Sequence, residues 1–159
     1  MLPWFLRTNI KIVQLIRDPR AIFNSQFKAL TTFNEWTLHI GDLCQRMIAD
    51  AQLANVLPSN RFAQLFYEDL INDPLTTLSR LYAKLEIPLD KYVARSILKH
   101  LDDAPANISA PNPYMSTYRG TKHDMNSWKV GLSLEDLTKI ESDCAENFRY
   151  FGFQPSIAH

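Results

Sequence analysis

The sequence is poor in glycine and has no excess of charge of either sign. Only four of its 159 residues are glycine, at positions 41, 120, 131 and 152. This spacing excludes both a P-loop and a dinucleotide-binding fingerprint. Seventeen basic residues balance seventeen acidic ones, so no overall field attracts nucleic acid or an anionic membrane. Any anion must therefore be held by a local site.

Long apolar runs are also missing. The longest uncharged stretch, Ala104 to Tyr118, contains three prolines and is shorter than the roughly 18 apolar residues that span a membrane. The apolar run at the amino terminus ends at Arg7, which is too early for the core of a signal peptide. We expect a single domain over 1–159, without a membrane span or targeting signal in this sequence.

The two cysteines, Cys44 and Cys144, are one hundred positions apart. A thiolate metal site requires clustered cysteines, and no other cluster of ligands calls for a metal. The cysteines either form a disulfide, which would stabilise the fold by roughly 4 to 5 kcal/mol, or stay as two buried free thiols.

The order of strands and helices predicts an α/β fold with a short parallel sheet. Residues 10–16 form one short aliphatic run and residues 62–67 another, and helical patterns follow both. Asp18 and Pro19 provide an N-cap and a first helical residue directly after the first strand. Ligands of such sheets bind at the carboxyl ends of the strands, where Arg17 and the segment 67–69 lie.

Further helices are predicted from capping residues and from apolar residues at helical spacing. One begins at the capping box 32–35 and ends at Pro58, and another begins at Asp73-Pro74. Asp90 is expected to cap a third helix that ends near residue 101, and a last helix extends from Ser133 to a C-cap at Gly152.

Residues 102–131 have no apolar period and contain three prolines and two glycines. Loops of this length in compact domains are usually functional or disordered, and we expect a functional loop. Its second half is basic, with Arg119, Lys122, His123 and Lys129 against Asp124.

The segment from Arg17 to Ser25 is a candidate anion site. A guanidinium at the end of a strand, followed by the N-terminus of a helix, favours an anion, and Ser25 on the second helical turn adds a hydroxyl donor. The alternative is that Arg17 pairs with Asp18 or Glu68 while Ser25 is solvated.

The stretch Ile16-Arg17-Asp18-Pro19-Arg20-Ala21, together with Ser25, resembles the 3'-phosphate-binding motif of Golgi carbohydrate sulfotransferases, which use 3'-phosphoadenylyl sulfate (PAPS). The resemblance extends over residues 10–153. Its other parts are the cysteine-bearing helix around Cys44, the segment Tyr67-Glu68-Asp69-Leu70, Trp128-Lys129, and the end around Cys144 and Gly152. The family has a P-loop-like fold, of which this chain would hold part.

This resemblance implies that PAPS is the co-substrate and that its 3'-phosphate contacts Arg17 and Ser25. It also implies cofactor-binding roles for the following positions: Asp18, Pro19, Arg20, Arg119 and Lys129. Three positions depart from the family pattern, since Gln26 and Phe66 stand where arginine is common and Lys129 replaces an arginine. Lysine offers a point charge rather than a bidentate fork, so a phosphate contact there would be looser.

The family's 5'-phosphosulfate loop and its general base lie upstream of this motif, where the chain has only sixteen residues and no glycine. We therefore expect a carboxyl-terminal portion of a sulfotransferase that does not transfer sulfate by itself, with apolar surface exposed on its strand side. The catalytic residues are unknown.

The resemblance further implies a carbohydrate or glycosaminoglycan-type acceptor and a location in the Golgi lumen, with a membrane anchor outside this sequence. An oxidising lumen favours a bond between Cys44 and Cys144. It also agrees with the glycosylation sequon at Asn107. Two alternatives remain open: a non-catalytic nucleotide-binding or interaction module with the same fold, and a sulfotransferase of another acceptor class.

Overall fold

The computed structural model describes residues 8–30, 39–102 and 125–156. Within these ranges a short parallel sheet packs against α-helices. In chain order the elements are β1 (Ile12–Ile16), α1 (Pro19–Leu30), α2 (Ile40–Ala51), β2 (Phe62–Phe66), α3 (Tyr67–Asn72), α4 (Pro74–Lys84), α5 (Lys91–Asp102), α6 (Trp128–Gly131), α7 (Leu134–Asp143) and α8 (Ala145–Phe151). A 3₁₀ turn, Gln52–Asn55, follows α2.

The two strands pair in parallel, in a register that runs from Ile12 opposite Phe62 to Ile16 opposite Phe66. Both strands therefore end at the same edge of the sheet. The residues that follow, Arg17 and Tyr67, become neighbours although fifty positions separate them in the sequence. The predicted α/β class and the short parallel sheet are confirmed.

Capping residues set the start of several helices as the sequence predicted. The Asp73 side chain accepts a hydrogen bond from the backbone N–H of Thr76, and Pro74 occupies the first turn of α4. Asp90 accepts from the N–H of Tyr92, and Ser133 from that of Asp136. At the other end, Gly152 adopts φ 79°, a left-handed C-cap that glycine reaches without steric cost.

The structure departs from the predicted elements in four places. The helix predicted to end at Pro58 ends at Ala51, and a 3₁₀ turn follows it. Residues 67–72 form α3, and Trp128–Gly131 forms α6 within the predicted loop. Both helices are too short to show an apolar period. The last predicted helix is divided at Cys144, whose ψ of 16° interrupts the path between α7 and α8. The capping box at 32–35 lies outside the described residues.

Cys44 on α2 and Cys144 between α7 and α8 form a disulfide at the centre of one core cluster. Ile40, Ile140 and Phe148 complete the buried part of this cluster. The bond links segments one hundred residues apart, and in the chain-entropy model such a loop contributes about 4 to 5 kcal/mol. It therefore fixes the carboxyl-terminal helices on α2.

One of the two faces of β1, the face that carries Val13 and Leu15, is open to solvent within the described part of the chain. Val13 is 41% exposed and Leu15 is 56% exposed, whereas Ile16 at the end of the strand is fully buried. Apolar side chains on such a face are typical of parallel strands, which are usually covered on both sides. The burial of Ile16 is important for the turn that follows, because it fixes the position at which this turn begins.

Candidate functional site

Arg17 lies where β1 ends, beside the first residue of α3. Its guanidinium carbon is 4.4 Å from the centroid of the Tyr67 ring, within the range of a cation–π interaction. The Nε atom of Arg17 is buried and has no hydrogen-bond partner among the residues that the structure describes. A cation with an unused donor is therefore held at the carboxyl edge of the sheet.

Asp18 caps the helix that follows. Its Oδ1 accepts a hydrogen bond from the backbone N–H of Arg20 at 2.9 Å, and its carbonyl accepts from the N–H of Ile22 at 3.0 Å. The sequence predicts that an external anion binds at the N-terminus of this helix. In the structure a carboxylate of the chain already takes one of the N–H groups at that end, so binding of an added anion depends more on side chains.

Arg20 is buried in a network of charges and rings. Its Nη2 donates to Asp18 Oδ2 at 2.7 Å, and its Nη1 donates to Glu141 Oε1 at 2.7 Å. The guanidinium carbon lies 4.1 Å from the Trp128 ring centroid and 4.7 Å from that of Phe148. Two carboxylates and two aromatic rings thus surround one cation.

These contacts also determine the protonation of Arg20. Burial alone lowers the pKa of this side chain, but hydrogen bonds and charges from Asp18 and Glu141 outweigh burial and raise the pKa above its ordinary value. Because the pKa is raised, the contribution of the Arg20 charge to stability is fully present below the ordinary pKa of arginine and is lost only as the pH rises into strong base. Arg20 is a permanently charged part of the fold.

Glu68 connects the two strand ends from the side of α3. Its Oε1 accepts from the backbone N–H of Asp18 at 3.2 Å, which ties the turn after β1 to the helix after β2. Its Oε2 is buried and has no hydrogen-bond partner within the described residues. Arg17 and Glu68 therefore each carry one buried polar atom that the described residues leave unsatisfied.

The remaining predicted site residues are more dispersed. Ser25 is half-buried on α1, one residue after Asn24, whose Nδ2 donates to Ser127 Oγ at 3.4 Å. Lys129 is exposed on α6, with its Nζ 5.6 Å from the Trp128 ring centroid. The other predicted positions, which lie outside the described residues, are Arg119, Asn107 and His123.

An open cleft of about 730 Å³ adjoins the network. Its lining includes Asp18, Arg20 and Glu68, together with Trp128 and Lys129. The segment 152–156 also lines it, and Ser156 in this segment accepts a hydrogen bond from Arg20. Arg17 and Ser25 are not among the described residues that line this cleft.

Glu141 is a site component that the sequence analysis missed. It accepts from Arg20 and also from the backbone N–H of Ser156 at 2.8 Å, and it is 5% exposed. A local signal existed, because Glu141 lies four residues after Leu137 and seven before Phe148, on the apolar stripe of the last predicted helix. A charge on such a stripe indicates a buried partner.

The described ranges contain neither a candidate metal centre nor a candidate membrane span. No group of three or more His, Cys, Asp or Glu side chains there is arranged to hold a metal ion. None of the helices in those ranges is long and apolar enough to cross a bilayer.

The fold and site define an α/β protein with a cationic side chain at the carboxyl edge of a parallel sheet. A model of the sulfotransferase family matches residues 7–91, which is more than half of the chain. The chain belongs to the sulfotransferase family. The matched range includes both strands, the turn after β1 and the segment that starts at Tyr67.

Curated relatives extend the similarity beyond this range. Carbohydrate sulfotransferase 3 of Tetronarce californica is 26% identical over 93% of the chain and 37% of its own length. Carbohydrate sulfotransferase 1 of Mus musculus is 25% identical over 93% of the chain and 40% of its length, and carbohydrate sulfotransferase 5 of Homo sapiens is 24% identical over 92% and 41%. The chain thus spans about two fifths of these relatives' length. No solved structure matches it.

Proposed function

We propose that this chain provides the 3'-phosphate-binding part of a PAPS-dependent sulfotransferase that acts on a carbohydrate hydroxyl. The observation that carries the proposal is the buried Nε of Arg17 at the carboxyl edge of the sheet, which has no partner among the described residues. A charge-assisted hydrogen bond to a phosphate oxygen would satisfy this atom. The family match and the names of the curated relatives support the nature of the donor and of the acceptor.

The residues of the turn take different roles in this proposal. Arg17 would contact the 3'-phosphate with its guanidinium, and Ser25 would donate its hydroxyl from α1. Asp18 and Arg20 contact each other at 2.7 Å and would position the turn, with Pro19 setting the start of α1. Lys129 and Arg119 remain proposed cation contacts to the co-substrate.

Glu68 fits a positioning role better than direct contact with phosphate. Its Oε1 already accepts from Asp18, and a carboxylate repels a phosphate unless a cation lies between them. Glu68 lines the cleft, and its buried Oε2, which has no partner among the described residues, would accept a hydrogen bond from a neutral hydroxyl donor if a ligand reached it. A carboxylate oxygen that accepts a hydrogen bond suits the hydroxyl of a sugar rather than a second anionic group.

In sulfuryl transfer these residues would bind and orient the nucleotide. Fixing the 3'-phosphate holds the co-substrate so that the leaving phosphate, the sulfur and the acceptor oxygen lie in line. Cations around the nucleotide also stabilise negative charge that develops on the leaving group. The identity of the base that removes the hydroxyl proton stays outside this proposal.

The cellular location proposed is the Golgi lumen. The Cys44–Cys144 disulfide supports an oxidising compartment, since such bonds are rare in the cytosol. The curated relatives are carbohydrate sulfotransferases by name, and their acceptor class is proposed for this chain.

Calorimetric titration of the purified chain with adenosine 3',5'-bisphosphate (PAP) tests the nucleotide site. Arg17→Ala should weaken PAP binding at least tenfold, because a charge-assisted hydrogen bond contributes about 1.5 to 3 kcal/mol. Ser25→Ala should weaken it about tenfold, since a hydrogen bond from a hydroxyl to a charged phosphate contributes about 1.5 kcal/mol at the lower end of the usual range.

Arg46→Ala is the matched control for loss of one positive charge. Arg46 is exposed on α2, and its Nε donates to the carbonyl of Asp42 in the same helix at 3.3 Å. PAP affinity should be unchanged in this variant. If Arg17→Ala binds PAP as tightly as Arg46→Ala does, the nucleotide site is wrongly placed.

A further inference from the structure

The turn that carries Arg17 is held from a distant part of the chain. Asp18 and Arg20 lie in this turn and at the start of α1, whereas Glu141 lies on α7, 121 positions after Arg20. Resting on the nucleotide site proposed above, we propose that Glu141 is a positioning residue for Arg17. It would set the affinity for a 3'-phosphate without contacting the nucleotide.

A continuous series of buried contacts connects Glu141 to Asp18, the residue that follows Arg17 in the chain. Glu141 Oε1 accepts from Arg20 Nη1 at 2.7 Å, and Arg20 Nε and Nη2 donate to the Asp18 carboxylate at 3.0 Å and 2.7 Å. The side chains of Arg20 and Glu141 are 5% and 2% exposed. Water therefore has little access to replace a lost contact.

The backbone on both sides of Arg17 is fixed. On one side, Ile16 is fully buried and paired with Phe66 in the sheet. On the other, the N–H of Asp18 donates to Glu68 while the Asp18 carboxylate is held by Arg20. The contact between Arg20 and the Asp18 carboxylate depends on the orientation of the Arg20 guanidinium. Glu141 helps to set that orientation through its hydrogen bond with Arg20.

Glu141 also determines where the end of the described chain lies. Its Oε1 accepts the N–H of Ser156 at 2.8 Å, and Arg20 Nη1 donates to Ser156 Oγ at 2.7 Å. One carboxylate oxygen thus holds both the turn and the segment that lines the cleft. Displacing this oxygen should disturb both at once.

Charge and geometry predict opposite effects on phosphate binding. The network contains one cation, Arg20, and two carboxylates, Asp18 and Glu141, so its formal charge is negative. If Glu141 acted only through its charge, neutralising it would reduce repulsion and tighten the binding of a phosphate. If it acts through geometry, displacing its oxygen weakens binding even when the charge is kept.

Two substitutions separate these effects. Glu141→Asp keeps the charge but withdraws the carboxylate by one methylene group. Glu141→Gln keeps the length and an amide oxygen that still accepts from Arg20 and Ser156. The measured quantity is the ratio of the affinities for PAP and adenosine 5'-phosphate, which differ only in the 3'-phosphate. Calorimetry on the whole chain gives both affinities, and circular dichroism gives the melting temperature.

Glu141→Asp should reduce this ratio about fivefold to tenfold with little change in the affinity for adenosine 5'-phosphate. Glu141→Gln should stay within about twofold of the wild type. Asp143→Asn removes a carboxylate from the same helix, where Asp143 pairs with Lys139 near the surface, and should leave the ratio unchanged.

The proposal is overturned if Glu141→Asp keeps the wild-type ratio, or if it weakens both nucleotides equally as a general loss of structure would. Tighter PAP binding by Glu141→Gln would also overturn it, because charge would then dominate. A reduced ratio of the two affinities in both variants would support the proposal. It would also show that the charge of Glu141 is needed to hold Arg20. A wild-type chain that binds both nucleotides equally would instead refute the nucleotide site itself.

Discussion

The two arginines of the turn after β1 occupy opposite environments. Arg20 is 4% exposed, with Asp18, Glu141, Trp128 and Phe148 around it. Arg17, three positions earlier, is half-buried and contacts the Tyr67 ring, and its Nε has no partner among the described residues. Identical side chains in one motif can therefore differ in role. The cation whose carboxylate partners lie inside the fold stabilises it, and the cation with an unused donor is the one proposed to bind a ligand.

The largest effect expected from this difference is on stability. Arg20→Ala leaves two carboxylates buried without their cation, and breaking a buried pair in this way costs about 3 to 5 kcal/mol. Urea unfolding followed by circular dichroism should show this loss as a lower midpoint. Arg20→Lys should recover only part of it, since an ammonium lacks the planar fork that contacts Asp18 and Glu141 together.

The exposed Arg46 serves as the control here too. Its truncation should change the free energy of unfolding by less than about 0.5 kcal/mol, as for most surface substitutions. Equal midpoints for Arg20→Ala and Arg46→Ala would mean that the buried network contributes nothing to the fold.

Arg17→Ala should have a much smaller effect on stability than on PAP binding. The substitution removes a cation–π contact of about 0.5 to 1 kcal/mol, but it also removes a buried donor without a partner. These terms oppose each other, so the free energy of unfolding should change by less than about 1 kcal/mol. The same urea titration measures it. A loss as large as that of Arg20→Ala would show that both arginines are structural.

The edge of the sheet that holds Arg17 could be predicted from the sequence because its signals are local. Short aliphatic runs marked β1 and β2, and the Asp-Pro pairs marked the helix starts at Pro19 and Pro74. Parallel pairing then required Arg17 and Tyr67 to be neighbours. Each strand and helix start is marked by residues that are close together in the sequence, and the α/β order of the elements then predicts the pairing of the two distant strands.

The buried network could not be predicted in the same way. The contact between Arg20 and Glu141 joins residues 121 positions apart, and no local pattern sets their distance. In the sequence both residues have the pattern of ordinary charged side chains, and the family resemblance implies a cofactor contact for Arg20 rather than a buried network. The position of Glu141 on an apolar stripe was the one available sign. It indicated burial without indicating the partner.

The smallest expected effect concerns a second ion pair on α7. Lys139 Nζ lies 2.8 Å from Asp143 Oδ2, as close as the contacts of Glu141, but the Lys139 side chain is 70% exposed. Solvent screens such a pair, and exposed pairs four residues apart on a helix contribute about 0.3 to 0.5 kcal/mol. Lys139→Met should therefore change the free energy of unfolding by no more than about 0.5 kcal/mol in the urea titration.

The dependence of stability on salt concentration gives a second way to compare the contributions of Lys139 and Arg20. The small contribution of Lys139 should vanish between low salt and about 1 M NaCl, where the Debye length is about 3 Å. The large contribution of Arg20 should persist at the same salt, because ions do not reach a pair that is 5% and 2% exposed. If salt removed both contributions alike, the Arg20 network would be open to solvent, and the distinction between the two arginines would fail.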